Sequence, residues 1–235
     1  MANRAYAALW LCARTDGGEA GESDPLAHFE RLLRTVPFSR TRQGFFSLAI
    51  RAVGPSETPV IEHDLRAIPA TSLEVMELAR EHTHPDTAFE VEAYWDLWVR
   101  DAESGIWSEQ PQRLEIIAQG PDYDEGAAAE SGDFVADLGF EHLFTGHAHL
   151  LAAPAMAGAG GASGRPEHPE EAKFLAAMAQ PENLREYREK TCENIRLLMN
   201  WVRAAEATTP AERSRLWSEG EENFEALLDE IFAAR

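Results

Sequence analysis

The sequence predicts an α+β protein: a ferredoxin-like split β-α-β antiparallel sheet, extended by one or two strands and followed by a C-terminal helical region of three to four helices. Three observations carry this expectation. The first half of the chain orders its patterns as strand, helix, strand, strand, helix, strand. Its helical stretches are amphipathic, and its later strands alternate apolar with polar residues. From Pro169 onward the apolar spacing is wholly helical.

The first element, AYAALWLCAR, is apolar on both alternations, as in a strand covered on both faces and placed centrally in a sheet. SDPLAHFERLLRTV follows with Asp24 as N-cap, Pro25 at the first helical position and Leu26, Phe29, Leu32 and Leu33 on one stripe. GFFSLAIRAV and VIEHDL, separated by the turn-forming GPSETP, read as a hairpin. TSLEVMELAREH opens with a capping box between Thr71 and Glu74. In TAFEVEAYWDLWVR, Phe89, Val91, Ala93, Trp95, Leu97 and Val99 take one face; Glu90, Glu92, Tyr94, Asp96, Trp98 and Arg100 take the other. DAESG turns the chain toward a strand in RLEIIAQG, and DFVADLGF offers another.

Residues 1–151 therefore form the α+β sheet domain, residues 152–168 a Gly/Ala-rich linker and residues 169–235 the helical C-terminal region. In that last region Leu184, Tyr187, Thr191, Ile195, Leu198 and Val202 mark one long helix. TPAE at Thr209–Glu212 reads as the cap of a further helix, and SEGE at Ser218–Glu221 as a restart.

Composition narrows the function classes. Six Trp and eleven Phe in 235 residues fit a folded protein with a sizeable core. The net charge of −20 repels nucleic-acid phosphate and anionic lipid, so neither nucleic acid nor membrane is an expected partner. No apolar run reaches membrane-spanning length, the N-terminus is charged too early for a signal peptide, and Cys12 and Cys192 form no zinc or disulfide pattern. A cytoplasmic protein is expected, and Arg used in place of Lys together with abundant Ala suggests a GC-rich bacterial genome. Cys12, inside an apolar run, is expected to be buried and unreactive.

The stretch GFEHLFTGHAHLL is the one metal candidate. His147 and His149 share a His-x-His spacing, and Asp137, Glu141 and His142 stand close enough in sequence to complete a ligand set for a small metal-dependent hydrolase. HTH at His82–His84 is a second source of imidazole. Against this, HExxH is absent and Gly146 turns the chain between the candidates. GxSxG, Walker and dinucleotide motifs are missing as well, so no cofactor is expected and the chain reads as a binding protein rather than an enzyme.

Charge distribution supplies the leading expectation. From Asp101 to Glu141 there are eleven acids and one base, Arg113, which is half of the net charge in under a fifth of the chain. Such a region would steer a basic partner protein. The expected function is an acidic protein-binding module, an inhibitor, immunity factor or assembly adaptor. Its docking residues would be Asp101, Glu103, Asp122, Asp124 and Glu125, with Tyr94 and Trp98 as aromatic anchors on the acidic alternation. A sheet pocket holding a small ligand against Tyr94 and Trp98 is a third reading.

Overall fold

The computed structural model describes residues 3–12, 25–147 and 169–233. Seven strands form a single sheet: β1 (Arg4–Leu11), β2 (Ser47–Ala52), β3 (Ile61–Asp64), β4 (Thr87–Arg100), β5 (Trp107–Gln119), β6 (Phe134–Phe140) and β7 (Ala211–Ser218). Their order is β3-β2-β4-β5-β6-β1-β7 and every neighbouring pair is antiparallel. The helices are α1 (Pro25–Leu33), α2 (Ser72–Arg80), α3 (Ala128–Ser131), α4 (His142–Thr145), α5 (Pro169–Met178), α6 (Pro181–Thr208) and α7 (Phe224–Ala233).

The mixed α+β class and the antiparallel sheet follow the sequence expectation; the topology does not. β1 pairs with β6 and β7 and never meets β2, β3 or β4, so the ferredoxin-like arrangement is not reproduced and the sheet is larger than expected. The reason lies in the hairpins. β4 pairs with β5 over thirteen residues and β5 continues into β6, so the edge that β1 would take beside β4 is already filled. β1 does lie between two strands, but its neighbours are late ones.

The seventh strand falls where the sequence predicts a helix. Thr209 starts no new helix but is the C-cap of α6, its amide and Oγ1 both donating to the Ala205 carbonyl, and Pro210 breaks that helix. The chain then runs along the free edge of β1, where Trp217 stacks on Tyr6 and the Arg213 guanidinium lies 3.8 Å from the Trp10 ring. Pairing with a distant strand outweighs a local helix signal. Ser218, expected to restart a helix, ends this strand, and α7 begins only at Phe224.

One face of the sheet is covered. Leu48 and Ile50 of β2, Phe89 through Leu97 on the apolar alternation of β4, Leu114 and Ile116 of β5 and Leu138 of β6 pack with α1, α2, α6 and α7 in a single core. The capping box forms as read: Glu74 N donates to Thr71 Oγ1 while the Thr71 amide donates to Glu74 at 2.7 Å. α6 supplies Ile195, Leu198, Trp201 and Val202, and Trp201 Nε1 donates to Thr35 Oγ1 at 3.1 Å, tying the longest helix to the end of α1. Trp95 sits at the centre, 0% exposed, between Phe144 and Trp201.

The opposite face carries charge. Glu92, Glu115 and Asp137 stand in register on three adjacent strands, and like charges so placed repel. Arginines interleave them: Arg113 reaches both Glu92 and Glu115 at 2.7 Å, and Arg4 grips Asp137 with two nitrogens at 2.6 and 2.7 Å.

The N-cap expected at Asp24 and the linker at 152–168 lie outside the described residues. Cys12 is a correction: β1 ends at Leu11, and Cys12 is exposed beyond it, its amide bonded to the Pro210 carbonyl. No described helix is long and apolar enough to cross a membrane.

Candidate functional site

The seven residues expected to dock a partner fall in three places. Tyr94 lies on the charged sheet face, its hydroxyl donating to Glu92 at 2.7 Å and its ring 3.9 Å from the Arg42 guanidinium. Trp98, Asp101 and Glu103 stand at the β4–β5 hairpin end. Asp122, Asp124 and Glu125 follow β5 at its other end, and thirteen residues of strand separate the two groups by about 40 Å at ~3.3 Å per residue.

The metal candidates are also divided. Asp137 is held by Arg4 on the open face, and Glu141 accepts the Gly220 amide at 3.1 Å. His142 and His147 stack on each other with ring centroids 4.9 Å apart, and His149 lies outside the described residues. His82–His84 belong to the connection before β4, at the far end of the sheet. Among the described residues, no three His, Cys, Asp or Glu side chains are grouped to hold a metal ion.

A cleft of about 460 Å³ opens where the β4–β5 hairpin meets α4, α5 and α6. Its formation starts with β4, which outruns β2: Ser47 pairs with Glu92, and the edge of β4 beyond is left without a strand partner. Loop and helix groups take over that edge. The Ser39 amide donates to the Tyr94 carbonyl, and the Asn194 side chain of α6 bonds both the amide and the carbonyl of Trp98. α6 is thereby fixed against the hairpin.

Gly146 closes the other side. It ends α4 in the left-handed region (φ 57°), and a Cβ there would lie 2.8 Å from Thr191 Oγ1 and 3.0 Å from the Tyr187 ring, so only glycine lets α4 approach α6 this closely. His147 follows, with its Nδ1 2.7 Å from the Tyr187 hydroxyl. Trp107, Tyr187 and Phe174 form a continuous aromatic wall with centroid separations of 5.2 and 5.3 Å. Burial raises the Tyr187 hydroxyl far above the usual phenol range, and burial lowers His142, so both remain neutral at pH 7. Such a site offers flat apolar surfaces and hydrogen-bonding groups.

The opposite end of the sheet forms an acidic apex. Val53, Asp124 and Glu125 all adopt positive φ (71°, 49° and 58°), a conformation costly for non-glycine residues and most of all for β-branched Val53. They are locked together: the Asp124 amide donates to the Val53 carbonyl at 2.7 Å and the Val53 amide to the Asp86 carbonyl at 2.9 Å. Tyr123, 4% exposed, anchors the turn from beneath. Val53 itself is 64% exposed, with Asp122, Asp124 and Glu125 around it, none of them in an ion pair among the described residues. Arg51, the cation at this end of β2, is already engaged by Glu90 and the Glu57 carbonyl.

Comparison with known protein families, curated proteins and solved structures returns no match to this chain. Sequence reasoning missed Arg100, Trp107, Phe174 and Tyr187 of the cleft. One signal was present: Arg100 is the single cation on the otherwise acidic alternation of β4.

Proposed function

We propose that this chain is an acidic protein-binding module, of the kind that serves as an inhibitor, immunity factor or assembly adaptor, and that the apex of Val53, Asp122, Asp124 and Glu125 docks a basic partner protein. The observation that carries this reading is the strained, exposed Val53 hydrogen-bonded into an acidic turn. Three non-glycine residues in left-handed conformations cost on the order of 1–3 kcal/mol each, and such strain concentrates at functional surfaces. An exposed apolar residue bonded to an acidic turn whose carboxylates make no ion pair among the described residues also matches the layout of an interface with steering charge at its rim.

The test is a pull-down from the native host with wild-type protein and with the triple variant Asp122→Asn, Asp124→Asn, Glu125→Gln, followed by association kinetics on the captured partner. A basic partner should be retained by the wild type and lost or weakened in the variant. Association should slow about tenfold at low ionic strength. The deficit should shrink near 0.5 M salt, where screening acts within a few ångströms. A partner whose association ignores both salt and the triple variant removes the reading's support.

A further inference from the structure

Arg100 is out of place in a chain of 41 acids. Arg4, Arg40, Arg51 and Arg113 each reach a carboxylate. Arg100 is half-buried in the cleft wall, yet among the described residues it makes no ion pair and no side-chain hydrogen bond. A part-buried guanidinium with no carboxylate partner keeps its planar fork of donors available to a ligand. Its position is also held: Gly105 in the hairpin turn (φ 73°) leaves room for it, and a Cβ there would lie 2.6 Å from Nη2.

Charges of both signs surround Arg100. Of the two lysines, Lys173 is in the cleft lining and Lys190 lies over the ring of Trp98, which also lines it. Lys173 lines it and depresses the nearby Asp101 carboxyl, after the stronger effect of the Ser104 hydrogen bonds. Lys190 lies 3.5 Å from the Trp98 ring and pairs with Glu193. Two acids, Glu103 and Glu171, share the lining; Glu103 is exposed and Glu171 has an interaction of its own. The aromatic wall of Trp107, Phe174 and Tyr187 faces the same space.

We infer that the cleft binds a small aromatic carboxylate, the carboxylate held by the Arg100 fork and the ring against Trp107, Phe174 and Tyr187. The volume suits a drug-sized molecule. The guanidinium matches a carboxylate with two parallel hydrogen bonds, and flat aromatic surfaces favour a flat guest. This site is at the opposite end of the sheet from the apex and does not depend on a protein partner.

The test uses the full chain with 2-naphthoate, 2-naphthamide and 2-naphthyl phosphate as probes, read by calorimetry and ligand-observed NMR. The carboxylate should bind at least about tenfold more tightly than the amide, the magnitude of one charge-assisted pair. Arg100→Gln should abolish that preference, Phe174→Ala should weaken acid and amide together, and Arg113→Gln on the open face should change neither. If Arg100→Gln does not fold, Arg100→Lys serves: it keeps the charge without the fork and should weaken the carboxylate severalfold while retaining its preference over the amide. Equal binding of acid and amide, full acid preference in Arg100→Gln, unchanged affinity in Arg100→Lys, about tenfold tighter binding of the phosphate, or no binding of naphthoate at about 1 mM would each overturn the inference.

Discussion

Asn194 of α6 acts as a strand partner for Trp98 of β4. Its Oδ1 accepts the Trp98 amide at 2.8 Å, while its Nδ2 donates to the Trp98 carbonyl at 3.0 Å and to the Leu143 carbonyl at 2.9 Å. One side chain, 2% exposed, thus satisfies backbone groups from two elements and joins the hairpin, α4 and α6. Asn194→Leu keeps the approximate size and leaves one amide and two carbonyls unpaired. The expected loss is about 2–4 kcal/mol, read as a lower denaturant midpoint at unchanged slope.

Gly146→Ala should destabilise by about 2 kcal/mol through combined backbone and steric strain. Because the added Cβ meets the Thr191 side chain, the double variant Gly146→Ala/Thr191→Ala should recover part of that loss. Strict additivity in a double-mutant cycle would mean that the two helices have moved apart instead.

Val53→Gly relieves a left-handed conformation at an exposed position, so stability should rise by about 1 kcal/mol. If the apex docks a partner, the same change should speed dissociation by removing the apolar centre. A more stable protein that binds less well is the combination a purely structural role would not give.

Glu115 gives a pH-dependent prediction. Burial raises its carboxyl above the usual range, and Arg113 only partly opposes this. Below the unfolded value folded and unfolded states are both protonated and no penalty exists; as pH rises through the folded value, ionising the buried group erodes stability. Glu115→Gln, which still accepts from Arg113, should therefore be more stable than wild type at pH 7 and equal to it in acid. Thermal unfolding of both proteins from pH 3 to 7 measures the divergence, and parallel curves would place the penalty elsewhere.

What the sequence made legible was local. The period of two in β4, the β2–β3 hairpin and the Thr71–Glu74 box depend on neighbours within a few residues, and each formed as read. β7 was illegible because its partner lies some two hundred positions earlier, and no local pattern reports that Tyr6 waits for Trp217. The cleft was half legible. His142, His147 and Trp98 stood out, but Arg100, Phe174 and Tyr187 join them only after α5 and α6 have folded back. The acidic stretch was read as one surface because its residues are sequential, while a thirteen-residue strand carries them to opposite ends.

The placement of β1 between β6 and β7 also has a consequence for synthesis. Once made, β1 has no strand partner among the described residues until Phe134–Phe140 appears, and no second one until Ala211–Ser218 is made. Until then its unpaired backbone edges and apolar side chains are open to any other chain nearby. Contacts this distant in sequence slow folding and prolong the aggregation-prone interval. A chaperone that shielded β1 until Ala211–Ser218 arrived would shorten that interval.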